Sequence, residues 1–255
     1  MTQVMDRSGQ VAVIVGGTGA IGGAIARRLA EEGADIAFSY GASAAKAAQL
    51  SSHVESLGRR SYAASIKNED AKAVAAFMTA VVADFGRIDT LVYASGPSFP
   101  LSFVSAIGPE DWARVFAADV NGCFFALGAA LPHLRASRGS FVAITAAGVE
   151  RALARDVLSL APKSAITTLV RTIALEEGRN GVRANCVAPG FIDAGLGASI
   201  MEAVGAKGAE ALVGNVPLRR AGTVEDVADA VSFVSSGRAS YITGTTLFVS
   251  GGMEL

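Results

Sequence analysis

The chain has 255 residues, 51% hydrophobic and 18% charged, so it can bury a full core and is not disordered as a whole. Lysine and arginine number 22 against 23 acidic residues, and this balance indicates no nucleic-acid partner and no anionic membrane surface. No uncharged apolar stretch is long enough to span a membrane, and the first apolar run (11–15) is too short for a signal peptide. Cys123 and Cys186 are typical of reduced core residues. We therefore expect a cytoplasmic protein without a membrane partner.

Short β-branched runs alternate with alanine-rich segments of helical spacing along the whole chain. The runs cover 11–15, 35–40, 61–66, 89–93, 140–145, 182–188 and 245–250. In the first helical segment Ile21, Ile25 and Leu29 recur at four-residue steps, and Gly33 marks its end. The alternation predicts an α/β fold: a single Rossmann-type domain over 1–255, with about seven strands in a doubly wound parallel sheet and helices on both faces.

The first strand and first helix are joined by a glycine-rich turn, VAVIVGGTGAIGGAIA. Glycines let the backbone approach a pyrophosphate, whose charge then lies at the helix N-terminus. Because a strand precedes the turn and an amphipathic helix follows it, we predict a nucleotide-binding turn. Its candidate cofactor-binding residues are Gly16, Thr18, Gly19, Ile21 and Gly22.

The end of the second strand bears on the choice of dinucleotide. An NAD enzyme usually places an acid there to bind the ribose 2′-hydroxyl. This chain instead has Tyr40 and Ser43 in the sequence YGAS, and Asp35 lies at the start of the strand. The absence of an acid favours NADP(H) over NAD(H), with Ser39, Ser43 or Lys46 as contacts to the 2′-phosphate.

A long glycine-punctuated segment, 191–221, interrupts the alternation of strands and helices late in the chain. A segment that follows the carboxyl end of a strand in an open sheet lies where a substrate lid belongs. A peripheral helical hairpin is the alternative.

Several motifs together resemble those of the short-chain dehydrogenase/reductase family, closest in layout to the 3-oxoacyl-acyl carrier protein reductases. They are GGTGAIG (16–22), YASG (93–96), DVNG (119–122), RANCVAPGFIDAG (183–195) and YITGTTLFVSGGM (241–253). The resemblance implies a Rossmann fold, a nicotinamide cofactor, a small-molecule substrate and a homotetramer that packs through the helices carrying Asn121 and Lys163. It also adds candidate cofactor contacts at Ile66, Ala94, Gly96, Pro189, Gly190 and Ile192.

The catalytic residues of this family are only partly matched. The family uses a tyrosine as proton donor, a lysine four residues later, a serine thirteen residues before the tyrosine, and an asparagine. Counted from Lys163, the tyrosine position holds Ser159 and the serine position holds Ala146. Lys163 is then expected to bind the cofactor ribose, and Asn121 to complete a water relay or to act as a core polar group.

Three further points remain open in the sequence. Ser159 is a far weaker acid than a phenol, so it either hydrogen-bonds or relays a proton, or merely caps the helix, with Pro162 in the first turn. Asp156 stands where enoyl-acyl carrier protein reductases keep their tyrosine, and we interpret it as a loop acid. His53 and His133 are interpreted as surface residues, and no metal-ligand cluster is visible.

The favoured function is an NADP(H)-dependent oxidoreductase with a non-standard active site, acting on a small apolar or acyl-type carbonyl, enone or imine. The alternatives are a catalytically silent nucleotide-binding subunit or sensor, and a lyase or cyclase on the same fold. The candidate catalytic residues are Asn121, Ser159 and Lys163.

Overall fold

The computed structural model describes residues 6–255, leaving aside the side chains of residues 196, 199, 200 and 203. Seven strands form one sheet in the order β3-β2-β1-β4-β5-β6-β7, and every neighbouring pair is parallel. The strands are β1 Val11–Val15, β2 Asp35–Tyr40, β3 Ser61–Ser65, β4 Thr90–Tyr93, β5 Ser140–Ile144, β6 Arg183–Pro189 and β7 Thr246–Val249. The predicted doubly wound sheet of about seven strands is confirmed.

The strand order alone places a crevice at one edge of the sheet. From β1 the chain builds outward through β2 to β3, and then returns to add β4 on the other side of β1. At such a reversal the connections leave on opposite faces, so a crevice opens outside the carboxyl ends of β1 and β4. All residues of β1, β4 and β5 are buried, which explains their nearly continuous apolar sequence.

Eight α-helices cover the two faces of the sheet among the described residues. They are α1 Ala20–Glu31, α2 Ala44–Ser56, α3 Ala71–Phe85, α4 Pro109–Phe116, α5 Gly122–Ser137, α6 Val157–Glu177, α7 Gly195–Gly214 and α8 Val224–Ser235. One apolar core joins α1, α2 and α8 to one face of the sheet, and a second joins α3, α5 and α6 to the other. The helices therefore cover both faces of the sheet, as is usual for a parallel sheet.

The helices α4 and α5 are continuous through a π-helical turn, Ala117–Asn121. The combined helix Pro109–Ser137 contains an 18-residue stretch with a mean hydropathy of 1.5, which is long and apolar enough to cross a membrane by length and composition. Its α5 portion packs against α3, β4 and β5, so it occupies the place of a core helix in this fold.

The segment 191–221 contains α7 and leaves the sheet directly after β6. Ile192 forms a bridge with Gly222, which brings the two ends of the segment together. Helix α7 is interrupted at Gly205, whose φ of +71° is left-handed and breaks the helical path. The segment is therefore two short helical pieces that start beside the sheet edge, and the lid function assigned to it stays a prediction.

Candidate active site

The glycine-rich turn forms a tight cradle at the carboxyl end of β1. Gly16 has a φ of +90°, and a Cβ built on it would lie 2.9 Å from the carbonyl oxygen of Ala94. A Cβ on Gly22 would overlap the carbonyl oxygen of Gly16. Helix α1 starts directly afterwards, and its N-cap, Gly19, has no side chain to cap the first-turn N–H groups. Backbone donors and the helix dipole are thus presented where the predicted pyrophosphate site lies, and the cradle fits that group.

A cavity of about 270 Å³ opens beside this turn. It is lined by half of the residues proposed from sequence, which come from four separate parts of the chain. These are Gly19, Ile21, Ala94, Ser159, Lys163, Pro189, Gly190 and Ile192. Gly96 lies nearby, because a Cβ built on it would be 3.8 Å from Lys163 Nζ. The structure therefore brings the candidate cofactor and catalytic positions to one edge of the sheet.

The amine of Lys163 is held at the wall of this cavity by two acceptors. Its Nζ donates to Asp119 Oδ1 at 2.9 Å and to the Ser95 carbonyl oxygen at 3.4 Å. The Asp119 side chain is 3% exposed and that of Lys163 is 12% exposed. A charge this buried needs a charged partner, so the pair fixes the direction in which the lysine points.

The structure does not bring Asn121 to Lys163. Asn121 is exposed, whereas Asp119 is buried and carries the carboxylate that contacts the lysine. Residues two apart on a helix lie on roughly opposite sides, so both cannot face the cavity. The place expected for Asn121 is occupied by Asp119, which the sequence reasoning passed over although it stands in the same DVNG motif.

Ser159 lines the cavity but does not cap helix α6. The helix begins at Val157 with Asp156 as its N-cap, and the Ser159 backbone N–H donates to the Asp156 carbonyl oxygen at 3.0 Å. Pro162 therefore lies inside the helix and not in its first turn. The capping alternative for Ser159 is wrong, and its side chain, with Ala146, stands at the cavity wall.

Asp156 also lines this cavity, which the sequence interpretation as a loop acid did not anticipate. Its Oδ1 is buried and has no hydrogen-bond partner among the described residues. Burial raises the pKa of this carboxyl from 3.8 to about 6. The site therefore contains a carboxyl group that is a much stronger acid than a serine hydroxyl and yet holds its proton more firmly than an ordinary aspartate.

Tyr93 is the tyrosine of the YASG motif and reaches toward this region from the core. Its ring is fully buried, and its hydroxyl donates to the carbonyl oxygen of Ala118 at 2.9 Å. Burial raises its pKa well above the ordinary value. The phenol is engaged inside the protein, so it does not replace the tyrosine that position 159 lacks.

A second cleft of about 470 Å³ lies between α1 and α2, next to the glycine-rich turn. Arg27, Lys46 and His53 line it together with Thr18. The Nε2 atom of His53 is buried and has no hydrogen-bond partner among the described residues. Three basic side chains thus converge beside the turn. The sequence does not identify Arg27, because the face of α1 that meets α2 is decided by how the two helices pack.

Of the residues expected to contact the 2′-phosphate at the end of β2, Ser39 has a different role. Ser39 is 1% exposed, and its carbonyl and hydroxyl oxygens both accept from the Gly16 N–H, so it braces the turn and faces no phosphate. The Tyr40 carbonyl oxygen accepts from the Ile66 N–H at 3.0 Å, which joins these two candidates at one edge of the sheet. Ser43 is the N-cap of α2 and makes no side-chain capping bond.

The residues that the structure describes do not form a metal centre. No group of three or more His, Cys, Asp or Glu side chains is placed to hold a metal ion in that part of the chain. Cys123 and Cys186 are buried free thiols. Burial raises the pKa of both, to about 11 for Cys186.

Comparison with known proteins gives full-length matches. The family sequence model described as enoyl-(acyl carrier protein) reductase matches residues 16–254. The 3-oxoacyl-[acyl-carrier-protein] reductase FabG of Staphylococcus aureus is 30% identical over 246 residues, covering 96% of this chain and 98% of that protein. A short-chain dehydrogenase/reductase from Serratia marcescens has a TM-score of 0.90 at 30% identity and covers 97% of this chain and 99% of its own. A blue fluorescent protein from a metagenomic library, solved in complex with NADPH, has a TM-score of 0.86 at 32% identity, over 98% and 99% of the two chains.

Proposed function

The chain belongs to the short-chain dehydrogenase/reductase family, and from this premise we infer that it is an NADP(H)-dependent reductase with a non-standard active site. The observation that carries the proposal is that Lys163 lines the same cavity as the start of α1, where the glycine-rich turn leaves backbone donors available. The substrate we propose is a small apolar or acyl-type molecule, because Ile144, Leu153 and Phe191 line the cavity.

The residues that would hold the dinucleotide follow from the two cavities. Gly16, Gly19 and Gly22 of the turn receive the pyrophosphate, and Lys163 receives the ribose next to the nicotinamide. Arg27 and Lys46 supply positive charge for a 2′-phosphate. The reduced nicotinamide supplies a hydride when it is bound. The remaining cofactor candidates are proposed as further contacts: Thr18, Ile21, Tyr40, Ser43, Ile66, Ala94, Gly96, Pro189, Gly190 and Ile192. Of these, Ile21, Ala94, Pro189, Gly190 and Ile192 line the first cavity and Thr18 lines the second.

The chain's own residues define which substrates suit this site. A hydride added to an isolated ketone leaves an alkoxide, which needs an acid or a hydrogen-bond donor beside it. Position 146 has no hydroxyl, and Ser159 is a poor acid. A conjugated enone or an already protonated imine needs less help, because the charge is delocalised or never develops. Because positions 146 and 159 lack the two hydroxyls that orient and protonate a ketone oxygen in this family, we propose an enone, an enoyl thioester or an imine ahead of a simple ketone.

The segment 191–221 is proposed to act as the lid. Phe191, Ile192 and Ala194 line the cavity, so the start of the segment already forms one wall. The break at Gly205 gives the segment a point about which its second helical piece can turn.

The protein is also proposed to work as a cytoplasmic homotetramer, without nucleic-acid or membrane partners. The exposed side chains of Phe124 on α5 and Leu175 on α6 are 58% and 86% accessible. Both helices were expected to pack against symmetry mates, and large apolar side chains at these positions favour such an interface.

The experiment that tests the function is a reduction assay with a defined substrate panel. Oxidation of NADPH is followed with a cyclic enone, an enoyl thioester, a cyclic imine and a 3-oxoacyl thioester. Turnover of a conjugated alkene or an imine well above that of the ketone supports the proposal. Tight NADPH binding with no turnover of any substrate instead supports the alternative, a silent nucleotide-binding subunit or sensor. Product formation without NADPH oxidation supports a lyase or cyclase.

A further inference from the structure

We propose that Asp156 is the residue that donates a proton to the substrate in the cavity between α6, β5 and the segment after β6. The inference rests on the proposed reductase function and names the group that replaces the missing phenol. It arises from the placement of the side chain and its unmet hydrogen-bonding capacity.

The placement of Asp156 is unusual for an N-cap. An aspartate at this position ordinarily accepts hydrogen bonds from the first-turn N–H groups through its side chain. Here the Ser159 and Leu160 N–H groups bond to the Asp156 backbone carbonyl at 3.0 Å, and the carboxylate makes no capping bond. The carboxyl group is therefore not engaged by the helix end, and Asp156 forms part of the cavity wall with Ser159 and Lys163.

The unpartnered Oδ1 indicates a group that awaits a ligand. Buried polar atoms are nearly always hydrogen-bonded, and an exception calls for an explanation. Among the described residues, Oδ1 of Asp156 has no hydrogen-bond partner. The cavity that Asp156 lines has other walls that are apolar and include Leu153 and Met253. A substrate polar atom in this cavity would meet a carboxyl group whose hydrogen-bonding capacity is not used up inside the protein.

The other candidates for the proton are engaged or chemically unsuited. Lys163 is paired with the Asp119 carboxylate, and Tyr93 donates to a main-chain carbonyl inside the core. The Thr145 hydroxyl donates to the Val187 carbonyl at 3.4 Å. Ser159 lines the cavity, but a hydroxyl of its kind is too weak an acid. Of the described residues that line the cavity, Asp156 and Lys163 are the two ionisable ones.

The step balances as follows. The substrate carbon gains a hydride, with its two electrons, from reduced nicotinamide, and the conjugated oxygen or α-carbon is left with an electron pair. The Oδ–H bond of Asp156 breaks, and the proton forms a new O–H or C–H bond at that atom. The substrate is reduced by two electrons and the dinucleotide is oxidised. Asp156 is left as a carboxylate and regains a proton from solvent water.

The charges around Asp156 are compatible with this role. The charged side chains on the elements that form this end of the cavity are Lys163, Asp119, Arg151, Arg155 and Glu254, together with Glu150 and Asp193, which are both exposed. Lys163 is compensated by Asp119, and Arg155 lies over the Phe103 ring at 4.5 Å. Arg151 donates to the Leu255 carbonyl, and Glu254 accepts from the Ser250 hydroxyl. Burial raises the pKa of Asp156 to about 6, so the protonated form predominates in mildly acidic solution below that pH and declines above it.

The test compares Asp156→Asn and Asp156→Ala with Glu150→Gln, an exposed acid in the loop before α6 that does not line the cavity. We expect Asp156→Asn to lower kcat/KM for the best enone or enoyl thioester of the panel by about 10²–10⁴-fold, with an unchanged Kd for NADPH. Wild-type kcat/KM is expected to fall as pH rises above about 6, and the residual activity of Asp156→Asn to lack this decline.

A second readout needs no dinucleotide. The native state binds more protons than the unfolded chain between pH 3.8 and about 6, so this carboxyl lowers stability as pH rises through that window. Asp156→Asn is therefore expected to raise Tm by about 2–4 °C at neutral pH, and by nothing below the lower limit of the window. Glu150→Gln is expected to show neither effect.

Three outcomes overturn the assignment. One is full activity in both Asp156 variants while the wild type turns over substrate. Another is an unchanged pH profile in Asp156→Asn, even with the melting shift present, which would make Asp156 a buried acid without a catalytic role. The third is a wild type that binds NADPH and reduces no substrate, since the reductase function then fails and the donor role fails with it. Loss of activity with an unchanged NADPH Kd and a flattened pH profile supports it.

Discussion

Replacing Arg27 with alanine separates the two dinucleotides if the cleft between α1 and α2 receives the 2′-phosphate. Arg27 is partly buried, and it lines the cleft with Lys46 and His53 beside the turn at Thr18. NADH has no phosphate at that position, so it gains nothing from the arginine. We expect Arg27→Ala to weaken NADPH binding and to leave NADH binding unchanged.

The expected magnitude follows from the burial of each side chain. A hydrogen bond between a charged donor and a charged acceptor in a partly buried place contributes about 1.5–3 kcal/mol. At 1.4 kcal/mol for each tenfold change, this corresponds to an increase of about 10- to 100-fold in the Kd for NADPH. Lys46 is exposed, so its charge is screened and Lys46→Ala is expected to cost no more than about 1 kcal/mol.

The assay is fluorescence titration of wild type and variants with NADPH and NADH at fixed ionic strength. Arg28→Ala is the matched control, because it is the next residue on α1 and pairs with Asp229 on α8 at 2.9 Å, away from the cleft. The reasoning is refuted if Arg27→Ala weakens both dinucleotides equally, if it weakens neither, or if the wild type binds NADH as tightly as NADPH.

Three other predictions address the site and the assembly. Asp119→Asn removes the buried partner of Lys163 and is expected to lower the free energy of unfolding in urea by about 1–3 kcal/mol. Asp229→Asn breaks an exposed ion pair and should lower it by less than about 1 kcal/mol. Equal losses in the two variants would contradict the buried pairing. Gly22→Ala forces a methyl group against the Gly16 carbonyl and should weaken NADPH binding in a fluorescence titration. Gly214→Ala is the control, because nothing lies within 4 Å of the added methyl group, and it should bind NADPH normally. Normal binding by Gly22→Ala would show that the turn does not hold the pyrophosphate. Light scattering at micromolar concentration is expected to give a tetramer. Leu175→Glu should dissociate this tetramer, whereas Leu57→Glu, at another exposed leucine, should not. A monomeric wild type would contradict the interface proposed on α6.

The fold was predictable because its information is local in the chain. The five residues of β1 are apolar throughout, as a strand covered on both faces must be, and the spacing of Ile21, Ile25 and Leu29 is that of the buried face of α1. The residues at the carboxyl ends of β1, β4 and β6 were also predictable as neighbours, since a parallel sheet brings such ends to one edge. Pro189 and Gly190 at the end of β6 accordingly lie in the cavity with Ile21.

The start of α6 was misplaced because a proline was taken to mark a first turn. Pro162 lacks an N–H and is best tolerated there, which pointed to Ser159 as a capping residue. The structure begins the helix at Val157 and accommodates Pro162 inside it. The shift of a few residues matters for function, since it removes the capping role from Ser159 and makes Asp156 the N-cap beside the cavity.

The phase of a helix explains the remaining difference between the expected and the observed site. Sequence spacing identifies the DVNG segment as the one that approaches Lys163, but only the rotation of the helix about its axis decides whether Asp119 or Asn121 faces the lysine. That rotation depends on the π-helical turn Ala117–Asn121, which inserts an extra residue into the helical repeat and which no pattern in the sequence marks. A buried amine selects a carboxylate over an exposed amide, because the ion pair offsets the cost of removing both charges from water. In the proposed reaction Lys163 has its charge already compensated by Asp119, and this is why we assign the proton for the substrate to Asp156.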